Sequence, residues 1–392
     1  MQVNFWTHAC AEIVCSKKRI VTDPWLVGPA FLGGWWLKHK PPADWLMRLQ
    51  TADAIYISHS HSDHMNHATL DRLASVKLDA PIYVPDYESK SAEKAIARHG
   101  FTNVKAVPLF QWVDLGDGVR FQILPDTSGR DDSGLVVDDN GKILVNTVDA
   151  PNLNAGKLPC DIEWLLAPFS SGASCYPLCF PEQYDESHIR TQLGKLRDVA
   201  LKSLIRLVNI TQPANLMPFA GYFNHHPRDA AIEALNGKNT AEQIRNSFRW
   251  THPHIKVHLP ESDLETSWDD AGKPKPIFVD LQDYFDWAGY RGDFTLCIEE
   301  MDPPLRSCLS RHFVDFLTGK VTKTEPHTHG QILKMQVRRA EFHQALAYGL
   351  GWEELAIGFH CRFWRCPDYY EAEFWDHFQN RLPKEALCPM SL

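Results

Sequence analysis

The sequence predicts an α+β fold in which stacked β-sheets are flanked by helices. Residues 3–150 contain short apolar runs with the period of strands, and the stretches 67–74 and 91–100 between them have helical periodicity. The segment 134–150 places Asn140-Gly141 between two β-branched runs, which predicts a two-residue β-hairpin. This mixture of hairpins and helices favours stacked sheets over a single, purely parallel sheet.

Further elements follow in chain order. Residues 186–210 keep apolar positions three and four residues apart, which predicts a long helix. Residues 215–227 predict a strand that ends in two histidines, with a helix starting near Pro227. The strands predicted before residue 126 are VNFWT, AEIVC, RIVTDPW, AIYISH, PIYVP, VKAVP and VRFQILP.

Chain length predicts about two domains, because 392 residues exceed one ordinary hydrophobic core. The polar segment around 260–275 holds prolines and several acidic residues, as a boundary loop would. After it come a predicted strand, FTLCIEEM, and helical patterns in RRAEFHQALAYGLGWEELAIGF. We therefore expect a catalytic domain over 1–262 and a smaller α+β domain over 263–392 that completes the pocket.

Composition excludes several classes of protein. No apolar run reaches the ~20 residues that span a bilayer, and the first residues do not form a secretory signal. A net charge of −9 argues against broad binding of nucleic acid. Ten cysteines without CxxC spacing favour a reducing cytoplasm. Cys175 with Cys179, or Cys361 with Cys366, are interpreted as buried thiols, with a redox pair as the alternative.

The stretch ISHSHSDHMNH, residues 57–67, predicts a metal site. His59 and His61 share one face of an extended segment, and Asp63 and His64 approach the same point after the chain turns. Imidazoles with a carboxylate are typical ligands of zinc and of non-haem iron. Structural zinc sites mostly use cysteine, so this motif indicates a metal with a chemical role.

The HSHSDH motif after a strand, Asp149 at a later strand end and a histidine after another strand together resemble the metallo-β-lactamase fold family. The resemblance implies an αββα sandwich that holds one or two metal ions. The ligands that it implies are His59 and His61 for the first metal, Asp63 and His64 for the second, Asp149 as a bridge, and His226, with His225 as the alternative, as the final ligand.

A narrower resemblance extends over residues 3–383, in order. It is carried by THACAEI, TDPWLVGPAF, GGWWLKHKPPADWL, ADAIYISHSHSDH, ILVNTVDA, MPFAGYF, GWEELAIGF and FWDHFQNRLP. These stretches resemble the catalytic part of the CMP-N-acetylneuraminate hydroxylase family. That resemblance implies an iron-dependent monooxygenase that converts the N-acetyl group of a nucleotide-linked sialic acid to N-glycolyl.

The sequence departs from this family in two ways. The family begins with a Rieske domain, whose cluster needs two cysteines and two histidines, and no cysteine here is followed two residues later by histidine. We therefore expect a separate electron-donor protein, or a reaction that needs no electrons. No histidine occurs between His99 and His188, where the third first-site ligand is expected. A carboxylate would replace it, from Asp149, Asp126, Asp131 or Asp132.

The pocket has further candidates on the sequence. His8 is interpreted either as a neighbour of the metal ligands or as a packed core histidine. Aromatic and cationic residues of the loop 23–45 can stack a base or sugar and neutralise phosphate, or can pack the loop onto the sheet. The loop 170–180 is a plausible substrate lining. The HxH pairs His252/His254 and His327/His329 are interpreted as surface loops. The substrate candidates are His8, Trp25, Trp35, Trp36, Lys38 and Ser174.

Two histidines with one carboxylate leave open metal positions, which is typical of non-haem iron that binds oxygen beside a substrate. The sequence therefore predicts an iron- and O2-dependent oxygenase acting on a small polar substrate, with His59, His61 and Asp149 as its catalytic centre. The alternative is a zinc or manganese hydrolase of the lactone or phosphodiester type, in which the metal generates hydroxide from water. A degenerate fold that only binds its ligand is the third interpretation.

Overall fold

The computed structural model describes residues 1–76, 78–171, 175–260, 277–326 and 330–383. Short 3-10 turns occur at Phe31–Gly33, Asn154–Gly156 and Pro227–Asp229. The described strands are β1 (Gln2–Thr7), β2 (Cys10–Cys15), β3 (Lys18–Thr22), β4 (Trp35–Leu37), β5 (Ala54–Tyr56), β6 (Ile82–Pro85), β7 (Val104–Val107), β8 (Trp112–Gly116), β9 (Val119–Pro125), β10 (Ser133–Asp139), β11 (Lys142–Asn146), β12 (Trp164–Pro168), β13 (Asn215–Phe219), β14 (Phe223–His225), β15 (Lys256–Val257), β16 (Phe294–Met301), β17 (Cys308–Asp315), β18 (Lys320–Thr322), β19 (Gln331–Arg338) and β20 (Cys361–Cys366). The described helices are α1 (Trp45–Gln50), α2 (His67–Ala74), α3 (Ser91–Ala97), α4 (Glu186–Thr211), α5 (Ala230–Glu233), α6 (Ala241–Thr251), α7 (Leu281–Ala288), α8 (Arg339–Tyr348), α9 (Glu353–Ile357) and α10 (Ala372–Asn380).

The N-terminal region is a sandwich of two sheets with helices outside. One sheet has the order β1-β2-β3-β5-β6-β7 and the other β15-β13-β12-β11-β10-β9-β8. Apolar residues such as Ile13, Phe121 and Leu166 form a buried core with members from both sheets. Helices α2 and α3 share a core with the first sheet, and α4 and α6 share one with the second. The predicted αββα sandwich is therefore confirmed.

The strand directions bring several loops to one edge of this sandwich. Strands β3, β5 and β6 are parallel, and β1 runs in their direction because β2 is antiparallel to both β1 and β3. In the second sheet, β11 is parallel to β12, and β9 shares that direction through the antiparallel β10. Residues that follow β1, β3, β5, β9 and β11 are therefore the ones that can meet at the carboxyl ends of the strands.

The C-terminal region is built on a five-stranded sheet with the order β18-β17-β16-β19-β20. Its buried core contains Tyr284, Phe342 and Trp352, and it also takes in Phe180 and Ile189 of the N-terminal region. The two regions therefore pack against each other through apolar side chains. The predicted boundary at 262/263 lies outside the described residues, so the division into two domains stays a prediction.

Several local predictions can be compared with the structure. The hairpin is confirmed: Asp139 pairs with Lys142, and Asn140 and Gly141 have φ values of 54° and 89°, as a type I′ turn requires. The helical pattern of residues 338–359 is divided into α8 and α9, because α8 ends at Gly349 in the left-handed region. The helix predicted from Pro227 is a 3-10 turn followed by the single turn α5.

Two observations concern membrane-spanning helices and the cysteines. Within the described part of the chain, no helix combines the length and apolar character needed to cross a bilayer. The described cysteines are free thiols, with Cys179 and Cys361 buried and Cys366 exposed. Neither Cys175 with Cys179 nor Cys361 with Cys366 therefore forms a disulfide.

Candidate metal centre

Seven side chains with metal-ligating atoms meet at the carboxyl ends of the strands. They form three overlapping groups, and within each group the ligand atoms lie within 4.8 Å of one another. The shared members, His59 and His64, join the three groups into one continuous cluster. The groups are His8 with Asp63 and His64, His59 with His64 and Asp149, and His59 with His61 and Asp132.

The orientation of His59 is set by Ser58 and Asp23. The Ser58 hydroxyl donates to Asp23 Oδ2 over 2.9 Å, and its oxygen lies 2.9 Å from His59 Nδ1. Because this hydroxyl proton is directed to the carboxylate, Oγ accepts from His59 Nδ1–H. The lone pair of the imidazole is therefore on Nε2, which faces the cluster.

His64 is oriented by the same carboxylate. Its Nδ1 lies 3.2 Å from Asp23 Oδ2, which can only accept, so Nδ1 carries a proton and Nε2 is the nitrogen that can bind a metal. Nε2 lies 3.3 Å from Asp63 Oδ2 and 3.3 Å from Asp149 Oδ2. Neither His64 Nε2 nor the buried Asp63 Oδ1 has a hydrogen-bond partner among the described residues. Buried polar atoms that converge without hydrogen bonds are what a metal ion would satisfy.

His61 completes the other end of the cluster. Its Nδ1 lies 2.9 Å from His59 Nε2, and its Nε2 lies 3.0 Å from Glu353 Oε2. With Nε2–H donated to the carboxylate, Nδ1 faces His59 and Asp132 and can give its lone pair to a metal when its own proton is lost. Two imidazole nitrogens 2.9 Å apart need either a proton or a metal cation between them, so the donor set fits a metal ion.

Burial and charge act on these groups in the metal-free chain. Burial, together with the neighbouring His64 and His61, lowers the pKa of His59 to about 3, which keeps its lone pair available. Burial opposes the charge on His61, but the hydrogen bond to Glu353 prevails and raises its pKa to about 9. Burial and Asp149 raise the pKa of Asp132 to about 6, against the lowering effect of His61. A bound divalent cation would favour the deprotonated form of each ligand.

Asp132 is the carboxylate that the structure brings to the position expected of a third first-site ligand. The carboxylate of Asp126 instead accepts a hydrogen bond from the Ser128 backbone N–H over 3.0 Å. Asp131 accepts from the Ser89 hydroxyl over 2.6 Å. Of the four carboxylates left open by the sequence, only Asp132 and Asp149 belong to groups able to hold a metal within the described residues.

His226 and His225 are not brought to the cluster. Strand β14 pairs with β4, and the stacked rings of Trp35 and Phe223, with centroids 3.4 Å apart, lie between His225 and His8. His225 Nε2 lies 3.0 Å from Glu233 Oε2, and its ring stacks on Phe359. His226 accepts from the Arg228 backbone N–H as the cap of a short turn. The geometry gives neither histidine the role of final ligand.

His8 is found in the cluster itself, with Nε2 3.0 Å from Asp63 Oδ2. The structure thus groups it with potential ligands, whereas the sequence suggested a substrate or supporting role. The rings of Trp25 and Trp35 lie beside the His8 ring, with centroids 5.5 and 6.0 Å away.

The tryptophans of the loop 23–45 mostly pack in the interior of the protein. Trp25 and Trp35 are fully buried in one apolar cluster, and only Trp35 also lines a cavity. Trp36 is buried and donates to Gly33 O, and Lys38 is half-buried and outside the cavity linings. Ser174, His327 and His329 lie outside the described residues.

Two cavities meet at the cluster. The apolar cavity, of 740 Å³, is lined by Phe169, Phe180 and Phe223 among others. The polar cavity, of 1080 Å³, is lined by charged residues that include Lys94 and Arg381. The linings of the two cavities share six residues, which are His61, Arg130, Asp132, Glu353, Tyr370 and Trp375.

Sequence reasoning missed the carboxylates that orient the ligands. Asp23 follows β3 in the stretch TDPW, where its φ of 38° turns the chain toward β5. Glu353 and Glu354 belong to the stretch GWEELAIGF, 292 residues from the motif in the chain. Both stretches carried the family resemblance, but no local pattern indicates which acid contacts which histidine.

Solved structures with a similar fold include two enzymes. CmlA, a diiron beta-hydroxylase from Streptomyces venezuelae, is 14% identical with a TM-score of 0.44, covering 67% of this chain and 54% of that chain. The isothiocyanate hydrolase from Delia radicum gut bacteria is 17% identical with a TM-score of 0.45, covering 68% and 99%.

The sequence comparisons identify the family of this chain, whereas the solved structures are similar only in fold. The beta-lactamase superfamily domain matches residues 2–145. The cytidine monophosphate-N-acetylneuraminic acid hydroxylase of Xenopus laevis is 34% identical over 98% of this chain and 72% of that protein, and the Pan troglodytes protein is 35% identical with the same coverage. A Homo sapiens protein named as an inactive form is 34% identical over 98% of this chain and 85% of its own length. This chain has the metallo-β-lactamase fold and belongs to the cytidine monophosphate-N-acetylneuraminic acid hydroxylase family.

Proposed function

We propose that the protein is a non-haem iron, O2-dependent oxygenase that hydroxylates a small polar substrate. The group formed by His59, His61 and Asp132 carries this proposal, because two histidines and one carboxylate are the ligand set of non-haem iron oxygenases. Membership in a family of hydroxylases supports the same reaction. Asp63, His64, Asp149 and His8 would hold a second iron ion beside the first.

The chain's own residues orient the ligands and shape the site. Asp23 orients His59 through the Ser58 hydroxyl and orients His64 by direct contact. It thereby keeps the Nε2 atoms of both histidines directed into the cluster. Iron bound there would supply the reduction of O2. The apolar cavity, with Trp35 and Phe223 in its lining, limits the access of water to the reacting C–H bond.

The reaction requires an electron donor. Insertion of one oxygen atom converts R–H, O2, two electrons and two protons into R–OH and water, so two electrons must be delivered in each turnover. Among the described residues, no group able to hold a metal contains a cysteine, the usual ligand of electron-transfer clusters. We propose that a donor outside the described residues, such as a separate electron-transfer protein, supplies these electrons.

The first substrate to test is the cytidine monophosphate-linked N-acetylneuraminic acid named in the relatives. Such a molecule is anionic, and the mouth of the site offers a matching charge. Arg130 is exposed and lines both cavities, where the carboxylates of Glu353 and Asp132 also lie. A guanidinium in this position can bind a carboxylate or phosphate through two parallel hydrogen bonds.

The test is metal content, measured by mass spectrometry on protein purified anaerobically without added metal, followed by oxygen consumption with a chemical reductant and the nucleotide sugar. We expect one or two equivalents of iron and substrate-dependent oxygen uptake. His61→Ala should abolish both iron binding at its group and product formation. His254→Ala, which changes an exposed histidine outside the cluster, is the matched control and should retain iron and activity.

Two results would contradict the oxygenase. Turnover of a lactone or phosphodiester under strict anaerobiosis, with zinc or manganese in place of iron, would identify the hydrolase instead. Full activity of the His61→Ala variant would remove the assigned metal group from the reaction.

A further inference from the structure

Helix α9 of the C-terminal region directs two adjacent glutamates at the ligand loop of the N-terminal sandwich. Glu353 Oε2 lies 3.0 Å from His61 Nε2. This contact occupies the imidazole nitrogen that points away from His59. Since the opposite nitrogen, Nδ1, lies 2.9 Å from His59 Nε2, the carboxylate sets both the tautomer and the rotation of the His61 ring.

Glu354 holds the backbone of the same loop. Its Oε1 accepts from the Ser62 backbone N–H over 3.0 Å, and its Oε2 accepts from the Ser62 hydroxyl over 2.6 Å. Ser62 lies between His61 and Asp63, so this two-point contact fixes the peptide that joins the two ends of the ligand cluster. The Ser62 oxygen in turn accepts from the Phe31 backbone N–H over 2.7 Å.

The position of α9 is itself fixed by close packing. A Cβ atom on Gly34 would lie 2.5 Å from Gly358 Cα, so the two backbones touch where both residues lack side chains. Trp35 Nε1 donates to Ile357 O over 3.1 Å, and His360 Nε2 lies 2.8 Å from Phe31 O. The loop 31–35 thus joins α9 to the sandwich on the side next to the metal centre.

We propose that Glu353 and Glu354 are positioning residues of the metal centre. The C-terminal region, which carries them, would then be required for the geometry of the metal ligands. Glu353 directs His61 Nδ1 to the metal, and Glu354 keeps the ligand loop at the spacing that the metal requires. The role rests on the metal centre of the proposed function. Carboxylates that hydrogen-bond to a metal-bound histidine contribute about 10–100-fold to metal affinity.

The test uses Co²⁺ as a probe, because its visible absorption reports ligand geometry as well as binding. The full-length metal-free protein is titrated with Co²⁺ in competition with a chelator, and the dissociation constant and spectrum are recorded. We expect Glu353→Ala to raise the dissociation constant about 10–100-fold and to change the spectrum. Glu353→Gln keeps an oxygen that accepts from His61 and should fall between the parent and Glu353→Ala. Glu354→Gln should also weaken binding.

Glu373→Gln, the same chemical change at an exposed position on α10, is the matched control and should bind Co²⁺ like the parent. Thermal unfolding of each metal-free variant shows whether it folds, and Glu353→Gln carries the test if Glu353→Ala does not. A parent-like dissociation constant and spectrum in both Glu353→Gln and Glu354→Gln would overturn the positioning role while leaving the proposed function intact. A parent protein that binds no Co²⁺ would overturn both.

Discussion

The two ends of the ligand cluster are supported by different parts of the chain. His64 is held by Asp23, which lies 41 residues away on the same sandwich and is fully buried. His61 is held by Glu353, which lies 292 residues away in the C-terminal region and is 23% exposed at the mouth of both cavities. The sandwich can orient one end by itself, whereas the other end depends on contact between the two regions.

This difference has a functional meaning. The Asp23 end is sealed in the core, so a substrate cannot reach the group that orients His64. The Glu353 end borders the cavities, so a substrate that fills them lies beside the group that orients His61. Substitutions that act on one end alone can separate the two kinds of support.

The largest loss of metal affinity and stability is expected from Asp23→Asn. The carboxylate accepts from Ser58 N over 2.7 Å, from the Ser58 hydroxyl and from His64 Nδ1. An amide can replace only one acceptor oxygen, so the tautomers of both His59 and His64 lose their control. We expect metal affinity to fall about 100-fold, and stability to fall by about 1–3 kcal/mol because buried donors lose partners.

Metal titration of the apoprotein, with thermal unfolding beside it, measures both quantities. The control is Asp53→Asn, which changes a carboxylate of the same sheet region that accepts from Arg19 N over 2.9 Å but contacts no histidine. Equal loss of metal affinity in both variants would contradict the orienting role of Asp23.

A smaller loss of metal affinity, confined to the His61 end of the cluster, is expected from Gly358→Ala. The new Cβ would lie 2.6 Å from Phe31 O and 2.7 Å from the His360 ring, so α9 must move away from the loop 31–35. Overpacking of this kind costs about 1–3 kcal/mol of stability. The displacement should also weaken the contacts of Glu353 and Glu354, which lowers metal affinity without changing Asp23.

Chemical denaturation and Co²⁺ titration together test this prediction. Gly194→Ala lies within α4, where the added Cβ meets only the Arg197 guanidinium at 3.8 Å. That control should be neutral or slightly stabilising, since alanine favours the helix. An unchanged Co²⁺ dissociation constant in Gly358→Ala would mean that the position of α9 does not matter to the metal.

The smallest effect is expected from Glu300→Gln, in the sheet of the C-terminal region. Burial opposes the charge of Glu300, but His343 and the Arg339 contact of 2.6 Å lower its pKa from 4.5 to about 2. A lowered folded-state pKa stabilises the protein above pH 4.5, and this stabilisation is lost as the pH falls toward 2. The substitution should cost about 1.5 kcal/mol at pH 7 and less in acid.

Unfolding at pH 7 and pH 3 measures this difference, with exposed Glu325→Gln as the control. Glu300→Gln also serves as a control for stability, because it destabilises the C-terminal region without changing a contact of α9. A loss of metal affinity in Glu300→Gln as large as that in Gly358→Ala would mean that general stability, rather than the contacts of Glu353 and Glu354, supports His61.

Local pattern predicted stacked sheets flanked by helices and the ligand loop, because both depend on neighbours in the chain, whereas the αββα arrangement was implied by the family resemblance. Strand and helix periods, and the Asn140-Gly141 turn, arise from backbone preferences over a few residues, and the structure confirms them. The spacing HxHxDH likewise brings together His59, His61 and His64 through the geometry of one loop. His8, which the sequence indicated only as a neighbour of the ligands, follows β1, and β1 lies near the motif only after the sheet has formed.

The motif at the end of β5 and, through the family resemblance, the αββα sandwich could therefore be predicted from the residues alone. The packing of the folded chain places Asp132 beside His59 and His61, keeps His225 away from the cluster through the β4–β14 pair, and brings Glu353 to His61. The physical reason is that a hydrogen bond across 292 residues depends on how the two regions pack, and packing leaves no periodic signal in the residues that make the contact.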